Sequence, residues 1–255
     1  MLQTLIGDNL FLWLFVFMRI GAFSMVVPTI GDPFVPTRSR LAVAIFLTIL
    51  IAPIVAPLIP KQPDQPAILL RLLFNEIAVG IFIGLVPRLL MGALELAGMI
   101  VAIQSSLANA AIFNPAMASQ SSLPGALMGW LGIILIFTTN LHHLLIIGAV
   151  DSYDLFHPGL SLPWNDFSEI ISNVVSHGFS IGMVMAAPFL ITGLIFAMAL
   201  GLLNRMAPQI QVFYIFMSTQ VALGLFLFSI TLGSMTLLWI RDFEDVISGI
   251  FRVHM

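Results

Sequence analysis

Ala67-Ile-Leu-Leu-Arg71-Leu-Leu-Phe-Asn-Glu76-Ile-Ala-Val-Gly80-Ile-Phe-Ile-Gly84-Leu-Val-Pro87-Arg88-Leu-Leu-Met-Gly-Ala-Leu-Glu95-Leu-Ala-Gly98 runs on, still apolar, to about Ala108. At 1.5 Å per residue this pattern is about 60 Å of helix, twice the roughly 30 Å hydrocarbon core of a membrane. Pro87 predicts a kink near its middle. Four charges punctuate it: Arg71, Glu76, Arg88 and Glu95. Arg88 and Glu95 share nearly one face, but seven residues put them about 10 Å apart along the axis, so they cannot pair with each other. Ionisable groups at membrane depth are costly unless paired or wet. Each therefore needs a partner on another helix, in another chain or in water.

Composition extends that reading to the whole chain. Of 255 residues, 60% are hydrophobic and 8% charged, and the mean hydropathy is +1.09. Soluble domains carry about 25% charged residues, so there are too few charges to cover a water-facing surface. Disorder would need low hydrophobicity and high charge. Nine basic and twelve acidic residues are too few and too scattered for a nucleic-acid binder. Without cysteine, disulfides, thiolate metal sites and cysteine catalysis fall away together. The opening Met-Leu-Gln-Thr-Leu-Ile-Gly-Asp lacks the basic start of a cleavable signal peptide. The chain reads as an all-α integral membrane protein.

Six helical elements are expected. The first runs from Asn9 to Pro28, with Arg19 as its interior charge, and the second from Leu41 to Ile59. Pro28-Thr-Ile-Gly31-Asp-Pro33-Phe-Val-Pro36 separates them, and Pro60-Lys-Gln-Pro63-Asp-Gln-Pro66 closes the second. The third is the long stretch above. No Asp, Glu, Lys or Arg occurs between Leu96 and Val150. Asn109 to Leu123 is read there as an uncharged loop, and Pro124 to about Tyr153 as a helix. After an acidic connector, a long hairpin follows, from about Phe167 to Asn204 and from about Val212 to Phe251, linked by Arg205-Met-Ala-Pro208-Gln-Ile-Gln211. Trp164 and Trp239 read as interfacial anchors or as bundle-packed side chains. Lys and Arg divide almost evenly between the two sides, so their distribution sets no orientation. Gly80-xxx-Gly84 and Gly193-xxx-Ala197-xxx-Gly201 put small residues on helix faces, where backbones pack closely in membranes.

Catalytic and metal constellations find little support. His142 and His143 point about 100° apart on a helix, and the spacing of a zinc-binding helix is absent, so they read as hydrogen-bonded membrane histidines. No nucleophile elbow or phosphate-binding Gly-rich loop is present.

The order of residues along the chain resembles the flagellar export-gate family of FliR and its type III secretion relatives. Arg205-Met-Ala-Pro208-Gln209-Ile-Gln211-Val212-Phe213 is similar to the family's Pro-Gln-x-Asn-Val-Phe signature after a Gly-Leu-Leu-x-Arg helix end, with Ala187-Pro188 before it and Gly224 after it. Gly98, Gln104, Asn114-Pro115, Pro124, Asn140-Leu-His142 and Ser152-Tyr153 follow the family's order, as do Arg19, Pro28, Pro36, Arg40, Glu76 and Gly80. Gln211 stands where Asn is usual, and Asn114 where Asp is more frequent, so an ionic role at the latter is not carried over.

That resemblance implies a single membrane domain over residues 1–255, built to pack inside a hetero-oligomeric helical assembly. A FliP-like front part over 1–160 would precede a FliQ-like hairpin over 161–255. It implies FliP-like and FliQ-like partners, an FlhB-like subunit, unfolded protein substrates, membrane lipid, the bacterial inner membrane and no cofactor. The loop from 109 to 123 takes the position of the segment that closes the channel, with Asn109, Ile112, Phe113, Asn114, Pro115, Met117 and Gln120 as its closing residues. Arg205, Pro208, Gln209 and Gln211 form an assembly link, and Arg19, Glu76, Arg88 and Glu95 are expected in buried ion pairs. The leading expectation is a non-enzymatic export-gate subunit. The alternative is a small-molecule or ion transporter using Glu76, Arg88 and Glu95, and an intramembrane enzyme comes third.

Overall fold

The computed structural model describes residues 2–109, 122–160, 162–206 and 212–251. Among them are seven α-helices: α1 Leu2–Val26, α2 Thr37–Val55, α3 Pro66–Gln104, α4 Leu123–Thr138, α5 Leu141–Leu155, α6 Trp164–Met206 and α7 Val212–Phe251. Short 3-10 turns at Ala56–Leu58 and Leu107–Asn109 follow α2 and α3. Of these, α2 with its 3-10 turn, α3, α6 and α7 are each long and apolar enough to cross a membrane, and the bent pair α4–α5 makes up to five such spans. The protein is an all-α membrane protein.

One expected helix is two. The run from Pro124 to Tyr153 breaks between Thr138 and Leu141, and its halves bend by 75°. The hinge is Asn140, held in the left-handed region at φ 61°. Asparagine adopts that conformation at lower cost than most residues. The Asn140 carbonyl accepts from the His143 amide at 3.0 Å and starts α5 afresh. Pro87 and Pro188 lie inside α3 and α6 without ending them.

Two compact units divide the chain. The first comprises Met1–Leu89, Ile136–Val174 and Phe243–Met255. Its α1–α2 hairpin turns through a loop in which the Thr29 amide donates to Asp32 Oδ2 at 2.8 Å, and Arg40 donates to the carbonyls of Asp32 (2.6 Å) and Val35 (3.0 Å). Phe15, Ile20 and Phe23 of α1 and Val79, Ile83 and Val86 of α3 are buried here. So is Phe82, stacked 4.0 Å from Phe167. Phe243, Ile247 and Phe251, four residues apart, form the buried stripe of the α7 end, and Phe251 packs on the bare backbone of Gly148.

The second unit comprises Leu90–Leu135 and Val175–Asp242. Leu90, Leu94, Ala97 and Val101 of α3 are buried, as are Met185, Ala186 and Phe189 of α6 and Met235 and Trp239 of α7. Trp239 is 1% exposed and donates its indole N–H to the Leu90 carbonyl at 2.9 Å, so it is a packed side chain. Trp164 is exposed.

Candidate functional site

Close approach of α1 and α3 builds the polar centre of the first unit. A Cβ at Gly80 would collide with the Arg19 carbonyl and stand 2.9 Å from Ala22 Cβ; at Gly84 it would meet the Phe23 carbonyl at 3.0 Å. The glycine pair therefore lets the two backbones touch, which is how small residues drive helix association in lipid. Glu76 lies one turn before Gly80 on the same face of α3, and this crossing sets it against Arg19.

The resulting pair is buried on both sides, Arg19 at 1% and Glu76 at 2% exposure. Arg19 Nε donates to Glu76 Oε2 at 2.6 Å and Nη2 to Oε1 at 3.1 Å, the planar two-pronged geometry that suits a guanidinium and a carboxylate. The remaining N–H groups reach α5. Nη1 donates to the Ser152 carbonyl at 2.9 Å and to Ser152 Oγ at 3.3 Å, and Nη2 to the Phe156 carbonyl at 3.0 Å. All five guanidinium N–H groups are thus used. The guanidinium also lies 3.9 Å from the centroid of the Tyr153 ring. The Ser152 carbonyl already accepts from the Phe156 amide at 2.9 Å, and Phe156 is the C-cap of α5, so Arg19 adds donors to the end of one helix while neutralising a charge on another. A cavity of about 150 Å³ opens beside the pair, with Asn75, Glu76 and His157 among its polar lining.

The other charges of α3 stand apart from that centre. Arg88 is 41% exposed, donates to the Val26 carbonyl at 3.1 Å and lies 3.6 Å from Asp32 Oδ1. Glu95 is exposed and has no ionic or hydrogen-bonded partner among the described residues. Neither is buried within this chain.

In the second unit, the end of α3 is fixed by α6 and α7. Gln220 Nε2 donates to the Gln104 carbonyl at 2.5 Å, Gly193 makes room for the Gln104 side chain, and Gly224 makes room for Ser105. Asn109 ends the 3-10 turn that follows. At the far side of the uncharged loop, Ser122 Oγ caps α4 by accepting from the Gly125 amide at 3.2 Å, and it reaches back to the Gly98 carbonyl at 3.4 Å. Gly98 meets Gly125 backbone to backbone. The loop thus leaves α3 after Gln104 and returns beside Gly98, a separation of about 9 Å along one helix. Ile112, Phe113, Asn114, Pro115, Met117 and Gln120 lie outside the described residues, as do Pro208, Gln209 and Gln211. Arg205 is exposed in the last turn of α6.

Several contacts were not anticipated. Asp32 meets Arg88 across a turn that the sequence marks only as turn-rich. His177 and Asp242 pair at 2.6 Å across the hairpin arms. Their near-equal distance in sequence from Pro208 is a usable signal, because residues equidistant from a hairpin link lie at one level. The His142 and His143 rings are 4.1 Å apart, and no group of three or more potential metal ligands occurs among the described residues.

Apolar spans, a helix break inside one of them and a neutralised interior charge pair define a multi-pass helical membrane protein. Residues 10–246 match the model of the bacterial export proteins, family 1, and the chain belongs to that family. It is 34% identical over 232 residues, 91% of this chain and 92% of the relative, to the flagellar biosynthetic protein FliR of Caulobacter vibrioides. FliR of Escherichia coli is 30% identical over 227 residues, covering 88% and 84% of the two chains. The Yop proteins translocation protein T of Yersinia pestis is 33% identical over 176 residues, covering 65% and 66%.

Proposed function

We propose that this chain is a non-enzymatic subunit of a flagellar or related type III protein-export gate in the bacterial inner membrane. It would line the substrate channel with FliP-like and FliQ-like subunits, beside an FlhB-like one, and pass unfolded proteins. The observation that carries this reading is the match to relatives named for flagellar biosynthesis and Yop translocation over most of the chain. The long helices support it too. Ile191, Leu194, Ile195 and Met198 of α6 and Phe226 and Ile230 of α7 are exposed, which leaves much apolar surface for lipid or other subunits. Within this reading, residues 1–160 act as the FliP-like part and 161–255 as the FliQ-like hairpin. A tagged chain purified from its native membrane is expected to bring down two smaller, multi-copy membrane proteins. A stable homo-oligomer that binds a solute would refute the reading.

The link from Arg205 to Gln211 is proposed as an assembly contact. Pro208 cannot continue a helix, the Arg205 side chain suits a helix C-terminus, and the Gln209 and Gln211 amides can bind exposed backbone of a neighbour. Replacing Pro208 and Gln209 together should lower complex yield or export several-fold, as one or two lost interface hydrogen bonds would. Unchanged yield and unchanged export in that double variant would make the link an ordinary solvated turn.

The loop over 109–123 is proposed as the movable closure of the pore. Support comes from its uncharged composition and from its two ends, Asn109 and Ser122, which attach to one end of α3. Irregular backbone at membrane depth is tolerated inside protein or beside water, as in a channel lumen.

A further inference from the structure

Glu95 is a carboxylate in an apolar setting. On α3 its own face continues as Met99 and Ile103, both exposed, and on the other side as Gly92, where a Cβ would meet nothing within 4 Å. Beside it, α4 presents Leu123, Leu127, Trp130 and Ile134, all exposed. Their spacing of four, three and four residues is the repeat by which one helix receives another. The glycine of that helix nearest the carboxylate is Gly129, whose Cβ would stand 3.7 Å from Glu95 Oε1. The carboxylate therefore lies over bare backbone, with room above it.

No cation among the described residues serves it, and residues 110–121 contain no Lys, Arg or His. A lone carboxylate facing lipid is costly, whereas Glu76, the other carboxylate of α3, is fully neutralised. Both the charge and the seam beside it ask for the same occupant.

We infer that Glu95 and the α4 seam form a docking site for a helix of another subunit, one that carries a single Lys or Arg among apolar residues. This rests on the export-gate reading, because it requires a hetero-oligomer. The basic side chain would sit over Gly129 and pair with Glu95, while its flanking apolar residues pack between Leu123, Leu127, Trp130 and Ile134.

The test uses the tagged full-length chain in its native membrane. Glu95→Lys should cut the yield of co-purified subunits by about tenfold or more, since like charges at an interface repel strongly. Glu95→Gln should cut it less. A photo-crosslinker at Leu127, with Glu95 intact, should capture one co-purifying subunit, and changing one Lys or Arg of that subunit to Glu should restore the Glu95→Lys complex. The inference is overturned if Glu95→Lys assembles like wild type, or if the crosslinker captures only lipid in an intact complex. Should wild type bring down no other subunit at all, the export-gate reading falls, and this inference with it.

Discussion

Arg19→Leu is expected to cost about 3–5 kcal/mol, because it leaves Glu76 as an unpaired buried charge. That is a large share of the 5–15 kcal/mol by which folded domains are typically stable. The loss has two sources. Glu76 keeps its burial but loses both guanidinium hydrogen bonds, the Phe156 carbonyl loses its Arg19 donor, and the Ser152 carbonyl is left with the Phe156 amide alone. Arg19→Lys should fall in between, because an ammonium has three donors and no planar fork. Joint replacement of Arg19 and Glu76 by Met should recover much of the loss, since buried ion pairs often exchange for apolar packing at little net cost. Steady-state level in the native membrane and the unfolding midpoint of the purified complex are the measurements. A wild-type level and midpoint for Arg19→Leu would show that the pair is not needed for stability. A double Met variant no better than Arg19→Leu would place the loss in shape and helix capping.

Deleting Ala110 to Ala118 should produce the second large effect: an assembled gate that leaks. If the loop fills a constriction, its removal opens a path for ions and small solutes even without export substrate. If it is an exposed surface loop, its removal leaves the membrane tight, because such a loop blocks no path, and assembly is little changed, because loop length alters closure entropy only slowly. Conductance, or uptake of a small solute, in cells carrying the deletion separates the two outcomes, with complex assembly confirmed in parallel. A deletion complex that assembles and stays as tight as wild type would end the closure proposal.

Much of the fold is legible in the sequence because a membrane demands long apolar runs, and such runs need no tertiary knowledge to find. The turn-rich linkers at 28–36 and 60–66 and the hairpin arms are read in this way. The break in the fourth run is not. Thr138-Thr139-Asn140 carries neither charge nor proline, and the turn depends on one residue taking a left-handed conformation. The site divides along the same line. The expense of Arg19, Glu76, Arg88 and Glu95 is visible from their apolar surroundings, and so is the small-residue stripe at Gly80 and Gly84. The pairing is a different matter. Arg19 and Glu76 stand 57 residues apart, and only the helix crossing at Gly80 brings them together. Arg88 and Glu95 look alike in sequence, yet one finds Asp32 and the other finds no partner among the described residues. Trp239 supports two readings until Leu90, 149 residues away, is seen to accept its hydrogen bond.

The separation of Arg19 from its partners also sets a timetable for biosynthesis. Chains grow at about 5–20 residues per second. Glu76 follows Arg19 by 57 residues and Ser152 by 133. At those speeds, the guanidinium waits roughly 3–11 s for its carboxylate and roughly 7–27 s for the end of α5. During the first interval α1 carries a bare charge that hydrocarbon penalises by about 2.5–3.5 kcal/mol. A charge left unpaired for that interval is expected to delay the settling of α1 in lipid until α3 arrives.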